Sequence, residues 1–379
     1  MADVDKKHIK KLAKTTITAL LFMSSALVLC AFTPQTRVRS AADAPKVKTP
    51  INSAAIVMEQ STGRVLYAEN QDARLPIAST TKILTALTVI DNAADLDKKI
   101  KISKQAVGIE GSSIYLKEGE ELSYRELLYG LMLRSGNDSA AALAIGVSGN
   151  LADFVTLMNE TARKCGAVNC CFTNPHGLHD DKHLCSAYDL ALITKEALNR
   201  PAFCEIVSAK SAKISGDPIR YLANKNKMLT NFDGANGVKT GFTKKSGRCL
   251  VTSAIRGGMQ LISVVLNHGD MWNDSAEMLE RAFSSFKMRK LIDRENLYGV
   301  DIQKGKYSKT VVKIPNDCYY PLTDGEFSDV RYEVDLPEYL TAPLQKGEIA
   351  GTMRVYLGNR LLFSDNFYTI TNIQRKGFF

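Results

Sequence analysis

The sequence predicts an α+β fold: an antiparallel sheet with a helical insertion, followed by a small all-β, sandwich-like domain. Two observations carry this reading. Strand-like runs stand at both ends of residues 43–295 with amphipathic helical segments between them, so the two ends must meet in one mostly antiparallel sheet. From about residue 298 the pattern turns to short apolar runs, "KTVVKI", "VRYEVDL", "GTMRVYL" and "LLFSDNFYTI", separated by Pro, Gly and Asp, which marks residues 296–379 as a separate β module. A chain of 379 residues with 45% hydrophobic and 23% charged residues has the length for two domains and the composition of a globular protein.

Each element has a local reason. "AAIVMEQ" and "RVLYAEN" flank Ser61-Thr62-Gly63 and read as a hairpin. A helix follows from Ser79, because Ile83, Leu84, Leu87 and Ile90 recur at helical spacing. Ser123-Tyr124-Arg125-Glu126 is a capping box that opens a helix with Leu127, Leu128, Leu131 and Met132 on its apolar face. That helix stops at "RSGND", and the small-residue helix "SAAALAIGV" leads into further helical segments to about residue 210. Near residue 235 the pattern becomes strands: "GVKTGF", "RCLVTSAIR" and "QLISVVLNH", with turns at Lys244–Gly247 and Gly257-Gly258. "NDSAEMLERAFSSFKMRKLI" reads as one long amphipathic helix covering them.

Residues 1–42 have the layout of an export signal or N-terminal anchor. Lys6, Lys7, Lys10, Lys11 and Lys14 precede the apolar run "TTITALLFMSSALVLCAF", and Ser40-Ala41-Ala42 offers small residues for cleavage after Ala42. The run is nearly long enough to span a bilayer, so retention as an anchor is the alternative. Either outcome places the working part of the chain outside the cytoplasmic membrane, in the wall or beyond. A formal charge of +9 suits an anionic lipid surface or polyanionic wall. No basic run interleaved with aromatics supports nucleic-acid binding.

Eight cysteines in an exported chain suggest disulfides. Cys204, Cys249 and Cys318 lie in segments that read as core, whereas Cys165, Cys170, Cys171 and Cys185 cluster around His176, His179 and His183. A local disulfide or a zinc site is the alternative to plain core thiols. No C-x-x-C pair or helical H-x-x-x-H favours metal, so the expectation is no metal.

Ser79 and Lys82 stand one helical turn apart and project from the same face. A serine hydroxyl is a poor nucleophile until a neighbour accepts its proton. Lysine serves as that base once burial or nearby positive charge lowers its pKa. S-x-x-K alone is common, and a capping serine beside a snorkelling lysine would explain it equally well. "SGN" at Ser135–Asn137 and "KTG" at Lys239–Gly241, in this order, make the set far more specific.

The three motifs resemble those of the penicillin-interacting serine transferases, S-x-x-K, S-x-N and K-[TS]-G. "AAIVMEQSTGRVLYAEN", "IASTTKILTAL", "LLYGLMLRSGNDSAAALA", "NPHGLHD" and "GVKTGFTKKSGRCLVTSAIR" extend the resemblance to the low-molecular-mass penicillin-binding proteins that act as D-alanyl-D-alanine carboxypeptidases. It implies a β-lactamase/transpeptidase-like catalytic domain over residues 43–295, with a small β domain behind it. Many such relatives carry an amphipathic membrane-binding helix after the β domain. "NIQRKGFF" is not one, which shifts the expectation of any membrane attachment to the N-terminal segment.

The implied substrate is a peptidoglycan stem peptide ending in D-Ala-D-Ala, with β-lactams as covalent inhibitors and no cofactor. Ser79 would form the acyl-enzyme and Lys82 would accept its proton. Ser135 would relay a proton to the leaving amine, and Asn137 would hold the acyl-side amide. Lys239 and Thr240 would bind the terminal carboxylate beside Gly241, and the backbone N–H groups of Ser79 and Phe242 would form the oxyanion hole. His176 is a second candidate base, although its place beside Pro and Gly favours a turn-holding role. Arg248 is expected to be structural. A class A β-lactamase is the main rival, but its E-x-x-L-N motif has only "KEALN" at Lys195–Asn199 to match it, late in the chain and with lysine in place of the glutamate. A catalytically silent wall-binding protein would not need all three motifs intact.

Overall fold

The computed structural model describes residues 52–377, so the export segment at residues 1–42 lies outside the described residues. Strand β1 (Ala54–Glu59) is buried at every position, as an inner strand covered on both faces must be. Its partner β2 (Val65–Glu69) returns antiparallel through the expected hairpin. The turn is tied by Glu59, whose carboxylate accepts from the backbone N–H groups of Ser61 at 2.9 Å and Thr62 at 2.8 Å. Gly63 adopts φ +69° there, a conformation that favours glycine.

Strands β3 (Ala235–Thr243), β4 (Gly247–Arg256) and β5 (Met259–Leu266) complete a five-stranded sheet in the order β2-β1-β5-β4-β3. β1 pairs with β5 from Ala54↔Leu266 to Glu59↔Leu261. The two ends of the catalytic segment therefore meet at the centre of the sheet, and β3 is left on the edge. Alternation sorts the side chains into two cores. Ile56, Met58, Val251, Ile262 and Val264 face the helical insertion. Ala55, Val57, Leu250, Leu261 and Val265 face helix α7 (Met271–Ser285) through its Met278, Leu279 and Ala282.

The insertion is built around α1 (Lys82–Asn92), whose first eight residues are all buried. Around it lie α2 (Tyr124–Leu133), α3 (Asn137–Ser148), α4 (Leu151–Lys164), α5 (Ala187–Ala197) and α6 (Pro201–Ser208). The Ser123/Glu126 capping box opens α2 with both of its reciprocal hydrogen bonds. Ala140, Ala141, Ala142 and Ala144 of α3 are buried, so small side chains bring it close to its neighbours.

One sequence expectation is corrected. The helix after β5 ends at Ser285, and Lys287–Ile292 is a strand paired antiparallel with Cys318–Leu322. Phe286 is buried against the core beneath α7, and the chain beyond it goes to the β module. There a curled six-stranded sheet runs in the order Val330–Asp335, Ile349–Leu357, Arg360–Thr369, Lys309–Lys313, Tyr298–Gln303, Tyr339–Thr341. Leu291, Cys318 and Leu322 of the two-stranded sheet share a core with Val312, Val355 and Phe367 of the larger one, which is the sandwich-like packing expected. One short helix, Asp324–Ser328, is added to the all-β pattern.

Candidate active site

Ser79 does not sit in an ordinary first helical turn. It lies in a 3-10 turn, Ala78–Thr81, that runs into α1. Ala78 before it has φ +47°, a left-handed conformation that is strained for alanine. Local bonds hold the turn: Thr80 Oγ1 donates to the carbonyl of Ile77 at 2.6 Å and Thr81 Oγ1 donates to that of Ala78 at 2.7 Å. Two glycines allow its neighbours to close on it. A Cβ at Gly177 would lie 2.0 Å from the Ala78 carbonyl oxygen, and one at Gly241 would lie 3.2 Å from Ser79 N and 3.1 Å from Thr80 N. Edge strand β3 therefore borders the Ser79 turn at backbone contact.

Lys82 is fully buried and its Nζ has three partners: Ser79 Oγ at 2.8 Å, Asn137 Oδ1 at 2.7 Å and the His176 carbonyl at 2.6 Å. Two of these can only accept. The peptide carbonyl has no proton, and Asn137 presents its oxygen because its Nδ2 donates to the Glu110 carbonyl at 2.5 Å. A neutral amine has two N–H bonds and one lone pair. With both N–H bonds committed, the lone pair is directed at Ser79 Oγ, where a general base needs it. Burial, then the charges of Lys239 and Lys225, hold the Lys82 pKa well below the ordinary lysine value, with Asp138 opposing them.

The second motif supplies more than its named residues. Ser135 is buried and turns through φ +65° between α2 and α3, two residues before Asn137. Gly136 leaves room that a Cβ would take from Asp138 Oδ1, at 2.7 Å. Asp138 is itself buried and accepts from Ser113 Oγ at 2.5 Å and from the N–H groups of Ile114 at 3.0 Å and Leu116 at 3.1 Å. It fixes the loop that faces Asn137, whose N–H donates to the Ser112 carbonyl at 2.7 Å.

Lys239 is buried on β3, its Nζ donating to the Thr240 carbonyl at 3.0 Å. Burial, then Lys225, pull its pKa down to about 7. By register Lys239 and Gly241 share a face with Val251 and Cys249, under the helices, while Thr240 and Phe242 align with Leu250 and Arg248 on the other. Phe242 is 66% exposed, and Arg248 opposite it is exposed too.

His176 holds a turn. Its Nδ1 accepts from the Leu178 N–H at 3.3 Å, and burial followed by the Lys82 charge pushes its pKa down to about 3. Its carbonyl, not its ring, serves the site. His183, which the sequence raises only as a neighbour of the cysteine cluster, braces the Ser79 turn. Its Nδ1 accepts from the Thr173 N–H at 3.0 Å, which leaves Nε2 to donate to Thr81 Oγ1 at 2.8 Å. The chain of bonds then runs from Thr81 to the carbonyl of strained Ala78. Lys225 was also missed; its Nζ donates to Ser112 Oγ at 3.2 Å, and it adds positive charge to the cleft. "KEALN" lies elsewhere: Gln60 donates to the Lys195 carbonyl at 3.4 Å and to Asn199 at 2.7 Å, at the opposite end of the sheet from Thr240.

A buried lysine poised on a serine beside an edge strand is the arrangement that acyl transfer of the serine type requires. The chain belongs to the D-alanyl-D-alanine carboxypeptidase family, whose pattern matches residues 39–270, and residues 286–375 match the C-terminal domain of penicillin-binding protein 5. It is 31% identical over 381 residues to D-alanyl-D-alanine carboxypeptidase DacF of Bacillus subtilis, covering 97% of this chain and 96% of that one. Against DacC of Escherichia coli the identity is 32%, over 86% of this chain and 85% of the relative. Penicillin-binding protein 5 of Haemophilus influenzae superposes with a TM-score of 0.71 at 27% identity, over 85% of this chain and 97% of that structure.

Proposed function

We propose that Ser79 carries the chemistry of a D-alanyl-D-alanine carboxypeptidase that trims peptidoglycan stem peptides. The observation that supports this most is the Lys82 amine, buried, with two obligatory acceptors and the Ser79 hydroxyl as its third partner. Lys82 accepts the Ser79 proton as Oγ attacks the carbonyl carbon of the penultimate D-alanine. The N–H groups of Ser79 and Phe242 hold the oxyanion, each donor lowering the barrier by about 3 kcal/mol. Ser135 relays the proton held by Lys82 to the departing amine, so the terminal D-alanine leaves neutral at nitrogen, Lys82 is neutral again and Ser79 remains as an ester. Water, deprotonated by the Lys82 amine, then cleaves the ester, and that proton returns to Ser79 Oγ to restore the hydroxyl.

Binding follows from charge. Lys239 and the positive field of Lys225 draw the terminal carboxylate, Thr240 on the other face of edge strand β3 is assigned to it by the resemblance alone, and Asn137 takes the acyl-side amide. A carboxylate beside Lys239 favours its charged form, so substrate binding restores the proton that burial has loosened. The same groups accept a β-lactam, whose carboxylate and strained amide occupy the same positions, and no cofactor is required. The enzyme acts outside the cytoplasm, where peptidoglycan is, with residues 1–42 as its export signal or its anchor.

Release of free D-alanine from diacetyl-L-Lys-D-Ala-D-Ala tests the reading. Wild type should release it and Ser79→Ala should not. Equal release by both would overturn the assignment of Ser79.

A further inference from the structure

Cys170 and Cys185 face each other in a short antiparallel ribbon, Cys170–Cys171 against Leu184–Cys185. A third segment fixes the type of pairing. The Leu75 N–H donates to the Cys185 carbonyl at 3.1 Å, and the Cys185 N–H donates to the Leu75 carbonyl at 3.0 Å. A residue in an antiparallel strand points its N–H and C=O to the same side. Cys185 therefore commits both groups to Leu75 and meets Cys170 as a non-hydrogen-bonded pair. In such pairs the Cα atoms stand about 4.5 Å apart and the side chains approach most closely. That spacing falls within the range of roughly 4.4–6.8 Å that a disulfide bridges.

The surroundings agree. Cys185 is fully buried and Cys170 is half-buried; burial, then a hydrogen bond with the Cys170 thiol, raises the Cys185 pKa. Cys171 pairs with Leu184, so alternation sends its side chain to the other face of the ribbon. The loop between the two strands carries the His176 carbonyl on Lys82 and the His183 ring on Thr81. Its base is the ribbon itself.

We propose that Cys170 and Cys185 form a disulfide when the protein meets an oxidising thiol–disulfide environment, clamping the base of the loop that holds Lys82 and the nucleophile turn. The oxidant is a low-molecular-mass disulfide. The Cys170 thiolate attacks one of its sulfurs and expels a thiolate, giving a mixed disulfide. Cys185, giving up its proton, then attacks Cys170 Sγ and expels the second thiolate. Two protein S–H groups and one external disulfide become one protein disulfide and two free thiols, so electrons and protons balance.

The experiment incubates the folded chain with oxidised glutathione, then counts thiols and maps non-reduced peptides by mass spectrometry. The expected result is the loss of two thiols and one linked peptide pair joining Cys170 to Cys185. The thermal midpoint should rise by roughly 5–10 °C, as closing a loop of this length gives, and dithiothreitol should reverse it. Cys170→Ser changes a half-buried position and is the diagnostic variant: reduced, it should melt like wild type, and oxidation should no longer raise its midpoint. A bridge from Cys170 to Cys165, a lasting glutathione adduct on Cys170, or an unchanged thiol count would each overturn the proposal.

Discussion

In the proposed mechanism Lys82 serves as the base only while neutral, and its surroundings favour that state. Protonation at low pH removes the lone pair, so kcat/KM should fall on the acid side as Lys82 takes up a proton. On the alkaline side it should fall as Lys239 loses the proton that draws the substrate carboxylate. Because that carboxylate favours charged Lys239, the alkaline limb of kcat should lie at higher pH than that of kcat/KM. Lys239→Arg should remove the alkaline limb and leave the acid limb in place; a profile unchanged by this substitution would exclude Lys239 from carboxylate binding. The brace on the nucleophile turn is tested by His183→Phe, which removes the donor to Thr81 Oγ1. We expect acylation by penicillin to slow by about 10-fold, the equivalent of one lost hydrogen bond of about 1.4 kcal/mol, with little change in KM for the tripeptide. Legibility at this scale followed chemistry. Ser79 and Lys82 meet as helical spacing predicts, and Asn137, read only through the resemblance that the three motifs carry, joins them at Lys82 Nζ. The His176 carbonyl was not legible, since a backbone oxygen has no signature in sequence, and Asp138 and His183 act through folds of the chain that bring distant loops together.

At the scale of elements, two features position the chemistry: the close approach of β3 to the Ser79 turn, and the carboxylate of Asp138 at the start of α3. Gly241→Ala would place a methyl 3.0–3.2 Å from the Ile77 carbonyl and the Ser79 N, tighter than the backbone there can absorb without shifting. Acylation rates should drop at least 10-fold while the melting temperature changes little, as judged by stopped-flow labelling beside calorimetry. Asp138→Ala removes a buried acceptor of four donors and should destabilise the protein by about 2–4 kcal/mol, measured by urea unfolding. Capping boxes and hairpin turns were legible because local residues alone satisfy them. The helix read through Ile292 was not, because Lys287–Ile292 finds its partner at Cys318–Leu322, and pairing across that separation outweighs local periodicity. The 3-10 turn at Ser79 escaped for a related reason: Ala78, tied by Thr81, is packed at backbone contact against Gly177, which lies far away in sequence.

For the whole molecule, the hairpin and the late strands together imply a mostly antiparallel sheet closed by its own ends, and the structure sets its order as β2-β1-β5-β4-β3. The link to the β module could not be read. Arg64, buried at the start of the second strand of the hairpin, donates to the Pro321 carbonyl at 2.5 Å and pairs with Glu326. Its guanidinium also lies 5.2 Å from the Phe286 ring centre and 5.3 Å from that of Tyr320. Arg64→Ala should lower stability by about 2–4 kcal/mol and leave kcat/KM unchanged, because none of these partners touches the cleft; a loss of activity with stability intact would refute that separation. The most direct test of the mechanism is intact-mass and peptide mapping after benzylpenicillin treatment of wild type, Lys82→Ala and Ser79→Ala. Stoichiometric acylation on the peptide containing Ser79 is expected in wild type, slower by about 10²–10⁴-fold in Lys82→Ala and absent in Ser79→Ala. An adduct on Ser79→Ala, or full-rate acylation without Lys82, would contradict a serine nucleophile activated by a buried lysine.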